Sequence, residues 1–339
     1  MPTLEAVLLR ARDAAGAGRW ALARRLFRKA AVATSPLPRD RARAADAHRW
    51  CSIAGLRLGD WESSVEDVDR SLSMSIALAD VRREAKSLNV AGAVQFEQGD
   101  WGAALHFYDR ARVVARPLKD QMLLAGIDNN EGALWAARGV TARARRLYAS
   151  ALAGFRAGSE TVSAARVMNN LGLLMAEEGA WRQALDWYQQ AAADAREARD
   201  ADLLLTVLTN LARTSAECSR ASHARSAADE ALALAEAMEG KPAEADLFCA
   251  LAAVARAEQR PAEADRWIAA ALEAADGGRN PLSEADAWEQ RARVRLQEGR
   301  IEEARDALDR ARARYDALGA KSALVRLSGL GSTLAMEQV

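Results

Sequence analysis

The stretch NNLGLLMAEEGAWRQALDWYQQA, residues 169–191, carries the pattern that decides the fold. Its Gly-Ala-Trp tripeptide begins at Gly179, and related tripeptides recur along the chain at one constant interval after a first interval that is longer by a single residue. Glycine favours the left-handed conformation that ends many helices, so each tripeptide predicts a turn between two antiparallel helices. Eight places share this register: Gly18-Arg19-Trp20, Gly59-Asp60-Trp61, Gly99-Asp100-Trp101, Gly139-Val140-Thr141, Gly179-Ala180-Trp181, Ser219-Arg220-Ala221, Gln259-Arg260-Pro261 and Gly299-Arg300-Ile301. A fixed period of this kind predicts a solenoid of tandem helix pairs.

The residues around each turn also repeat by size. In repeat five a small, large, small series follows the turn at Ala184, Tyr188 and Ala191, and a small residue, Gly172, lies seven positions before the turn glycine. Small residues at helical spacing let neighbouring backbones approach closely, and the large residue fills the space between them. The pattern therefore predicts tightly packed helices throughout.

Composition agrees with long helices around a thin core. Half of the 339 residues are apolar but only 5% are aromatic, and the 47 basic residues balance the 47 acidic residues. This balance argues against a nucleic-acid partner. The start of the chain lacks the features of a signal peptide, no apolar run reaches the length of a membrane span, and the three cysteines show no disulfide spacing. We therefore expect a soluble, cytoplasmic protein with free thiols and no membrane partner.

The repeat resembles the tetratricopeptide repeat. That motif has Leu-Gly in its first helix, Gly-Asp-aromatic at the turn, and Ala, aromatic, Ala in its second helix, and repeat five matches it almost fully from Asn169 to Ala191. Repeats six to eight keep the alanines but lose the aromatic ring. The resemblance implies an all-α, right-handed α-solenoid of eight antiparallel helix pairs over residues 1–318. Because solenoid ends need a cap, residues 319–339 are expected to form a C-terminal capping helix.

The interval from one turn glycine to the next, as from Gly139 to Gly179, exceeds the roughly 34 residues usual for this motif. We expect the additional residues to lengthen the helices, with segments such as Ala192–Leu204, which contain no Gly or Pro, remaining helical. This longer spacing, with Asn-Asn-Leu or Asn-Leu in the first helix, resembles the repeats of kinesin light chains, cell-polarity adaptors and bacterial peptide-pheromone sensors. Armadillo and HEAT repeats have a similar length but lack the Gly-Asp-Trp turn.

Six asparagines occupy matched places in the first helices of repeats three to six. They lie ten or nine positions before the turn residue, where a first helix of this family lines the concave face. Asparagine is a poor helix former, so its recurrence needs a reason. One interpretation is a row of amides that hydrogen-bonds the backbone of an extended peptide, which the resemblance also implies. The other is that the amides satisfy helix ends or bind one another. The six residues are Asn89, Asn129, Asn130, Asn169, Asn170 and Asn210.

Further groove positions flank the asparagines. Arg166 and Arg213 suit a ligand carboxylate, since a guanidinium can contact both carboxylate oxygens, although solvated arginines are the alternative. Trp50, Phe96 and Leu173 are the predicted apolar groove residues. The sequence thus predicts a protein or peptide partner with an acidic or C-terminal segment.

No pattern points to catalysis, a metal or a cofactor. The three histidines have no metal-ligand spacing, and the chain contains no phosphate-binding loop or nucleophile elbow. We therefore expect a non-catalytic scaffold or adaptor that binds an extended peptide segment in its concave groove. The alternative is a peptide- or ligand-sensing regulator whose superhelical pitch changes on binding, and self-association through apolar ends or faces is a third possibility.

Overall fold

The computed structural model describes residues 4–32, 37–238, 244–275 and 281–336, and these residues form seventeen α-helices and no strand. The helices are α1 (Leu4–Gly16), α2 (Trp20–Val32), α3 (Pro38–Arg57), α4 (Trp61–Ala77), α5 (Val81–Glu97), α6 (Trp101–Ala115), α7 (Gln121–Ala137), α8 (Thr141–Ala157), α9 (Thr161–Glu177), α10 (Trp181–Glu197), α11 (Ala201–Glu217), α12 (Ala221–Ala237), α13 (Glu244–Ala257), α14 (Pro261–Ala275), α15 (Pro281–Gln297), α16 (Ile301–Leu318) and α17 (Lys321–Met336). The predicted all-α solenoid of eight helix pairs and a terminal helix is confirmed. Residues 337–339 of the predicted cap lie outside the described residues.

The turn inside every helix pair contains one residue in the left-handed conformation. Six of these residues are glycines, with φ from 69° at Gly59 to 84° at Gly99. Ser219 and Gln259, which stand in the glycine register of repeats six and seven, both adopt φ of 60°. A side chain in this region costs about 1–2 kcal/mol, so the packing of the adjoining helices holds these two turns in place.

The even-numbered helices bury the small, large, small series almost completely. In repeat five Ala184, Tyr188 and Ala191 are all fully buried. The Tyr188 ring packs directly against Gly172 of α9, where a methyl group would come within 2.5 Å of the ring carbon Cε1. The glycines of repeats three and four face their tyrosines in the same way, whereas repeats without tyrosine have Ala or Ser at this place. The glycine and the tyrosine thus form one packing unit.

One expectation about the longer period was wrong. Residues Ala192–Leu204 are not continuously helical, because α10 ends at Glu197, Arg199 adopts φ of 55°, and α11 begins at Ala201. The additional residues do lengthen the helices, as expected, since α7 to α12 have 17 residues each, but a second set of tight turns separates the repeats. An aspartate caps the next helix at several of these turns, as when Asp200 accepts a hydrogen bond from the Leu203 backbone N–H (2.9 Å).

The odd-numbered helices form the inner wall of the solenoid. From α3 onward each of them contacts the next odd-numbered helix as well as its sequence neighbours. Between even-numbered helices no contact of comparable extent occurs in the part of the chain that the structure describes. The repeats therefore curve with α3, α5, α7, α9, α11, α13, α15 and α17 on the concave side.

Successive turns of the superhelix touch each other. Trp20 of repeat one donates a hydrogen bond from Nε1 to Asp202 Oδ1 of repeat six (3.0 Å). A methyl group on Gly99 of repeat three would come within 2.7 Å of Leu318 Cδ2 of repeat eight. One superhelical turn thus spans about five repeats, since repeat one meets repeat six and repeat three meets repeat eight.

The terminal helix α17 extends this inter-turn contact. It packs on α16 and also touches α7, and a methyl group on Gly139, in the turn after α7, would lie 3.2 Å from the Ser322 backbone nitrogen. Ile127 and Leu134 of α7 share one apolar core with Tyr315 and Leu327. The C-terminal helix therefore closes one end of the solenoid and also covers repeat four.

Candidate functional site

A continuous series of side-chain hydrogen bonds joins the six asparagines on α5, α7, α9 and α11. It starts where Arg213 Nη2 donates to Asn210 Oδ1 (3.3 Å). The amide links that follow run from Asn210 Nδ2 to Asn169 Oδ1 (3.0 Å), Asn169 Nδ2 to Asn170 Oδ1 (3.5 Å), Asn170 Nδ2 to Asn129 Oδ1 (2.9 Å), Asn129 Nδ2 to Asn130 Oδ1 (3.2 Å) and Asn130 Nδ2 to Asn89 Oδ1 (3.2 Å). We refer to these six residues as the asparagine row.

The period of the sequence explains how the row crosses between helices. Each link between repeats joins residues 41 positions apart, as Asn170 and Asn129 are, while the link within a repeat joins adjacent residues such as Asn169 and Asn170. The asparagines therefore bind one another, as the second interpretation predicted. An amide has two N–H donors and two acceptor lone pairs, so each internal member keeps one donor and one lone pair for another partner.

The row is unevenly exposed. Asn89, Asn129, Asn130 and Asn170 are half-buried, whereas Asn169 and Asn210 retain only 4% and 7% of their accessible surface. The interpretation as a peptide site requires Asn210 to face solvent, and its burial departs from that requirement. The tight winding is the reason, because Arg213 beside Asn210 forms an ion pair with Asp286 of α15 (3.3 Å).

Both predicted carboxylate-binding arginines already have carboxylate partners. Arg166 lies 3.3 Å from Asp200 and 3.7 Å from Asp202, and Arg213 pairs with Asp286. Burial by itself would raise the pKa of Asp202, but Arg57 and Arg166 outweigh it and hold this pKa below its usual value. These arginines therefore connect α9 and α11 to neighbouring helices, and a ligand carboxylate would have to compete with Asp200, Asp202 or Asp286.

The predicted apolar groove residues pack within the fold. Trp50 stacks on Phe27 with ring centroids 5.7 Å apart, and Phe96 stacks on Trp101 at the same distance. Leu173 is half-buried against the apolar core of repeats four to six. These three side chains are separated along α3, α5 and α9, and the structure does not bring them together as one surface.

An ion network near the row was missed by the sequence reasoning. Arg326 of α17 pairs with Glu289 of α15 (2.7 Å), and the Tyr315 hydroxyl donates a hydrogen bond to Glu289 as well (3.0 Å). The missed signal is the repeat register itself, because Glu289 lies ten positions before Gly299, the place that Asn89 and Asn169 occupy in their own repeats.

The described residues contain no group of three or more His, Cys, Asp and Glu side chains that could hold a metal ion. Cys51 and Cys249 are buried free thiols, and burial raises the pKa of Cys51 to about 12. Across the same ranges, no helix has the length and apolarity needed to cross a membrane.

The arrangement of helices is shared with solved structures of low sequence identity. A Rap protein complexed with Competence and Sporulation Factor matches with a TM-score of 0.64 and 14% identity, over 98% of this chain and 99% of that chain. The chain has the fold of the tetratricopeptide-repeat proteins. This agrees with the repeat motif, and the predicted right-handed α-solenoid class is confirmed with it.

Two further structures have the same fold. The Rap conjugation gene regulator of plasmid pLS20, in complex with the Phr* peptide, has a TM-score of 0.66 and 12% identity, over 85% of this chain and 78% of its own. NprR in complex with its cognate peptide NprX has a TM-score of 0.60 and 15% identity, over 90% of this chain and 88% of that one. No protein-family model and no curated protein matches the chain.

Proposed function

We propose that the protein is a non-catalytic receptor for a short, extended peptide that binds along the asparagine row. The observation that carries this proposal is the row itself. Its six amides hold one another in fixed orientations across four repeats, and four of the six remain partly accessible. A row of this kind offers alternating donors and acceptors to a peptide backbone without selecting its side chains.

The mutual hydrogen bonds favour binding because they order the site before a ligand arrives. An asparagine side chain that is already fixed loses little conformational entropy when it accepts a further partner. The spare donor and lone pair of Asn129, Asn130 and Asn170 match the N–H and C=O groups of an extended backbone. The backbone C=O groups of the peptide would accept from the spare amide N–H groups, and its N–H groups would donate to the spare lone pairs.

Contacts between superhelical turns favour a short ligand over a long segment of a partner protein. Trp20 contacts Asp202 and Gly99 lies against Leu318, so adjacent superhelical turns touch at these places and restrict access to the inner surface from the side. A peptide of a few residues can enter such a space more readily than a segment flanked by folded domains. This supports a peptide-sensing regulator, although an adaptor that binds a free chain terminus uses the same row.

The Rap and NprR complexes give independent support. All three have this fold along most of their length, and each holds a peptide or, in the first Rap protein, Competence and Sporulation Factor. No enzymatic role is included in the proposal, since the predicted and observed features all concern binding.

Selection from a random peptide pool tests the proposed function. A pool of random hexapeptides is passed over the immobilised protein, retained peptides are identified by mass spectrometry, and their Kd values are measured by calorimetry. Replacing Asn129 and Asn170 together with Ala should weaken binding about tenfold or more, because each amide loses hydrogen bonds to the peptide backbone.

The matched control is Gln190→Ala, which removes an exposed amide from the outer helix α10 and should leave Kd unchanged. Thermal midpoints of the variants show whether each is folded. Failure of the wild-type protein to retain any peptide, or equal Kd values for the wild type and the Asn129→Ala/Asn170→Ala variant, would contradict the proposal.

A further inference from the structure

The asparagine row has a direction, and a single side chain fixes it. A guanidinium can only donate hydrogen bonds, so Arg213 requires Asn210 to accept through its carbonyl oxygen. The amide nitrogen of Asn210 is then left to donate to Asn169, and the same condition passes along every link of the row. The last link therefore ends on the carbonyl oxygen of Asn89.

Because Asn89 is the final acceptor, its Nδ2 group keeps both hydrogens. Nδ2 makes no hydrogen bond with any residue that the structure describes. The neighbouring wall leaves it uncovered, since Gly126 of α7 has no side chain and a methyl group there would lie 3.8 Å from Nδ2. The equivalent places in repeats three and five hold Lys86 and Arg166, long side chains that would fill this space.

Two cations lie beside this donor end. Lys86 precedes Asn89 by three residues on α5, so the two side chains share one face of the helix. The Lys86 ammonium is half-buried and makes no ion pair or hydrogen bond within the described ranges. Arg49 of α3 occupies the register of Asn89 in repeat two and continues the row beyond its last amide.

The local charges leave this end of the row positive. Asp46 is the acidic partner of Arg49 (3.2 Å) and is shared with Arg83 (3.0 Å), which also pairs with Asp80. Burial lowers the pKa of Lys86, and the nearby Arg49 guanidinium lowers it further. Asp46 and Asp120 act in the opposite direction, while Arg82, which pairs with Asp120 (2.8 Å), lowers the pKa of Lys86 as well. Three carboxylates thus face four cations, which leaves one positive charge in excess beside the free N–H groups of Asn89.

We propose that Asn89, Lys86 and Arg49 form a carboxylate-binding site that receives one end of the peptide and sets its direction along the row. This inference rests on the proposed function. The carboxylate comes either from the peptide C-terminus or from an acidic side chain near it. The peptide then runs from its carboxylate at repeats two and three toward repeats five and six.

A chemical double-mutant cycle tests this site. Peptides retained from the random hexapeptide pool are made with a free C-terminal carboxylate and with a C-terminal amide, and a third form has each Asp or Glu replaced by Asn or Gln. Kd is measured for the wild type and for Lys86→Met. Removing the carboxylate that binds should weaken wild-type binding about tenfold to a hundredfold, and should have little further effect on Lys86→Met.

Lys29→Met is the matched control, since Lys29 is exposed on the outer helix α2 and its loss makes the same change in charge. It should respond to the peptide modifications as the wild type does. Asn89→Ala gives a second route to the same result if Lys86→Met is poorly folded. The form of peptide that loses affinity, amide or side-chain variant, identifies which carboxylate binds.

The result that overturns the inference differs from the result that overturns the proposed function. If peptides bind in an Asn129- and Asn170-dependent manner but carboxylate removal has the same effect on the wild type and on Lys86→Met, only the carboxylate site is wrong. If no peptide binds, or binding ignores Asn129 and Asn170, the row is not a peptide site.

Discussion

The turns of repeats three and five have nearly the same sequence but different surroundings. Trp101 in the first is 4% exposed, and Trp181 in the second is 39% exposed. A methyl group on Gly99 would meet Leu318, whereas one on Gly179 would meet nothing within 4 Å. The difference arises because Pro281 of α15 and Leu318 of α16 cover the turn of repeat three. A repeat motif thus determines the local turn, while the superhelical winding determines whether that turn is part of the core.

The largest expected effect comes from removing the two tryptophans. Trp101→Ala should lower the free energy of unfolding by about 3–5 kcal/mol, because it empties a site in the core shared with α15 to α17. Trp181→Ala should cost about 1 kcal/mol or less. Urea unfolding followed by circular dichroism measures both. Equal losses would mean that the coverage by α15 to α17 adds nothing to stability.

The turn of repeat one, where Trp20 contacts Asp202 of repeat six, gives the second test. Asp202→Asn keeps an acceptor for the Trp20 N–H but removes the charge that faces Arg57 and Arg166, and should cost about 1.5–3 kcal/mol at pH 7. Asp202 has a lowered pKa in the folded state, so its contribution is present above the unfolded pKa and is lost as pH falls through the folded pKa.

The difference between the wild type and Asp202→Asn should therefore be constant from pH 7 to about pH 5 and shrink below about pH 4. Asp186→Asn, at an exposed position on α10, is the matched control and should show no such difference. A gap that persists unchanged at pH 3 would show that the charge of Asp202 does not stabilise the contact between turns.

The smallest expected effect is at the turn glycines themselves. Gly179→Ala should cost about 1–2 kcal/mol, because φ of 74° is unfavourable for a side chain. Gly99→Ala has the same backbone cost and must also displace Leu318 Cδ2, so we expect a loss about 1 kcal/mol greater. Thermal unfolding of the pair resolves this difference, and a larger loss for Gly179→Ala would contradict the comparison.

Much of the fold could be predicted because the same pattern of turn and packing residues recurs in every repeat. The register located Ser219 and Gln259 as turn residues despite the missing glycines, and the small, large, small series identified the buried face of each even-numbered helix. The turns between repeats escaped notice because residues such as Arg199 carry no glycine signal. The signal that was available is a set of aspartates, which precede α5, α7 and α11 in the same register of the repeat: Asp80, Asp120 and Asp200.

The candidate site was predictable in position but not in detail. The register placed all six asparagines on the inner helices, and adjacent pairs such as Asn169 and Asn170 already permitted links along the row. The partners of Arg166 and Arg213 could not be read from the period. Asp286 reaches Arg213 only because the solenoid is tightly wound, and the winding depends on side-chain packing summed over many repeats.

The contact between superhelical turns has a consequence for synthesis of the chain. Repeat one leaves the ribosome long before its partners in repeat six, since Trp20 and Asp202 are 182 residues apart. At typical translation rates of about 5–20 residues per second, the surface that Trp20 presents stays uncovered for roughly 10–40 s. During this interval the nascent helices can pack only against their sequence neighbours. The contacts between superhelical turns form when the second half of the chain emerges.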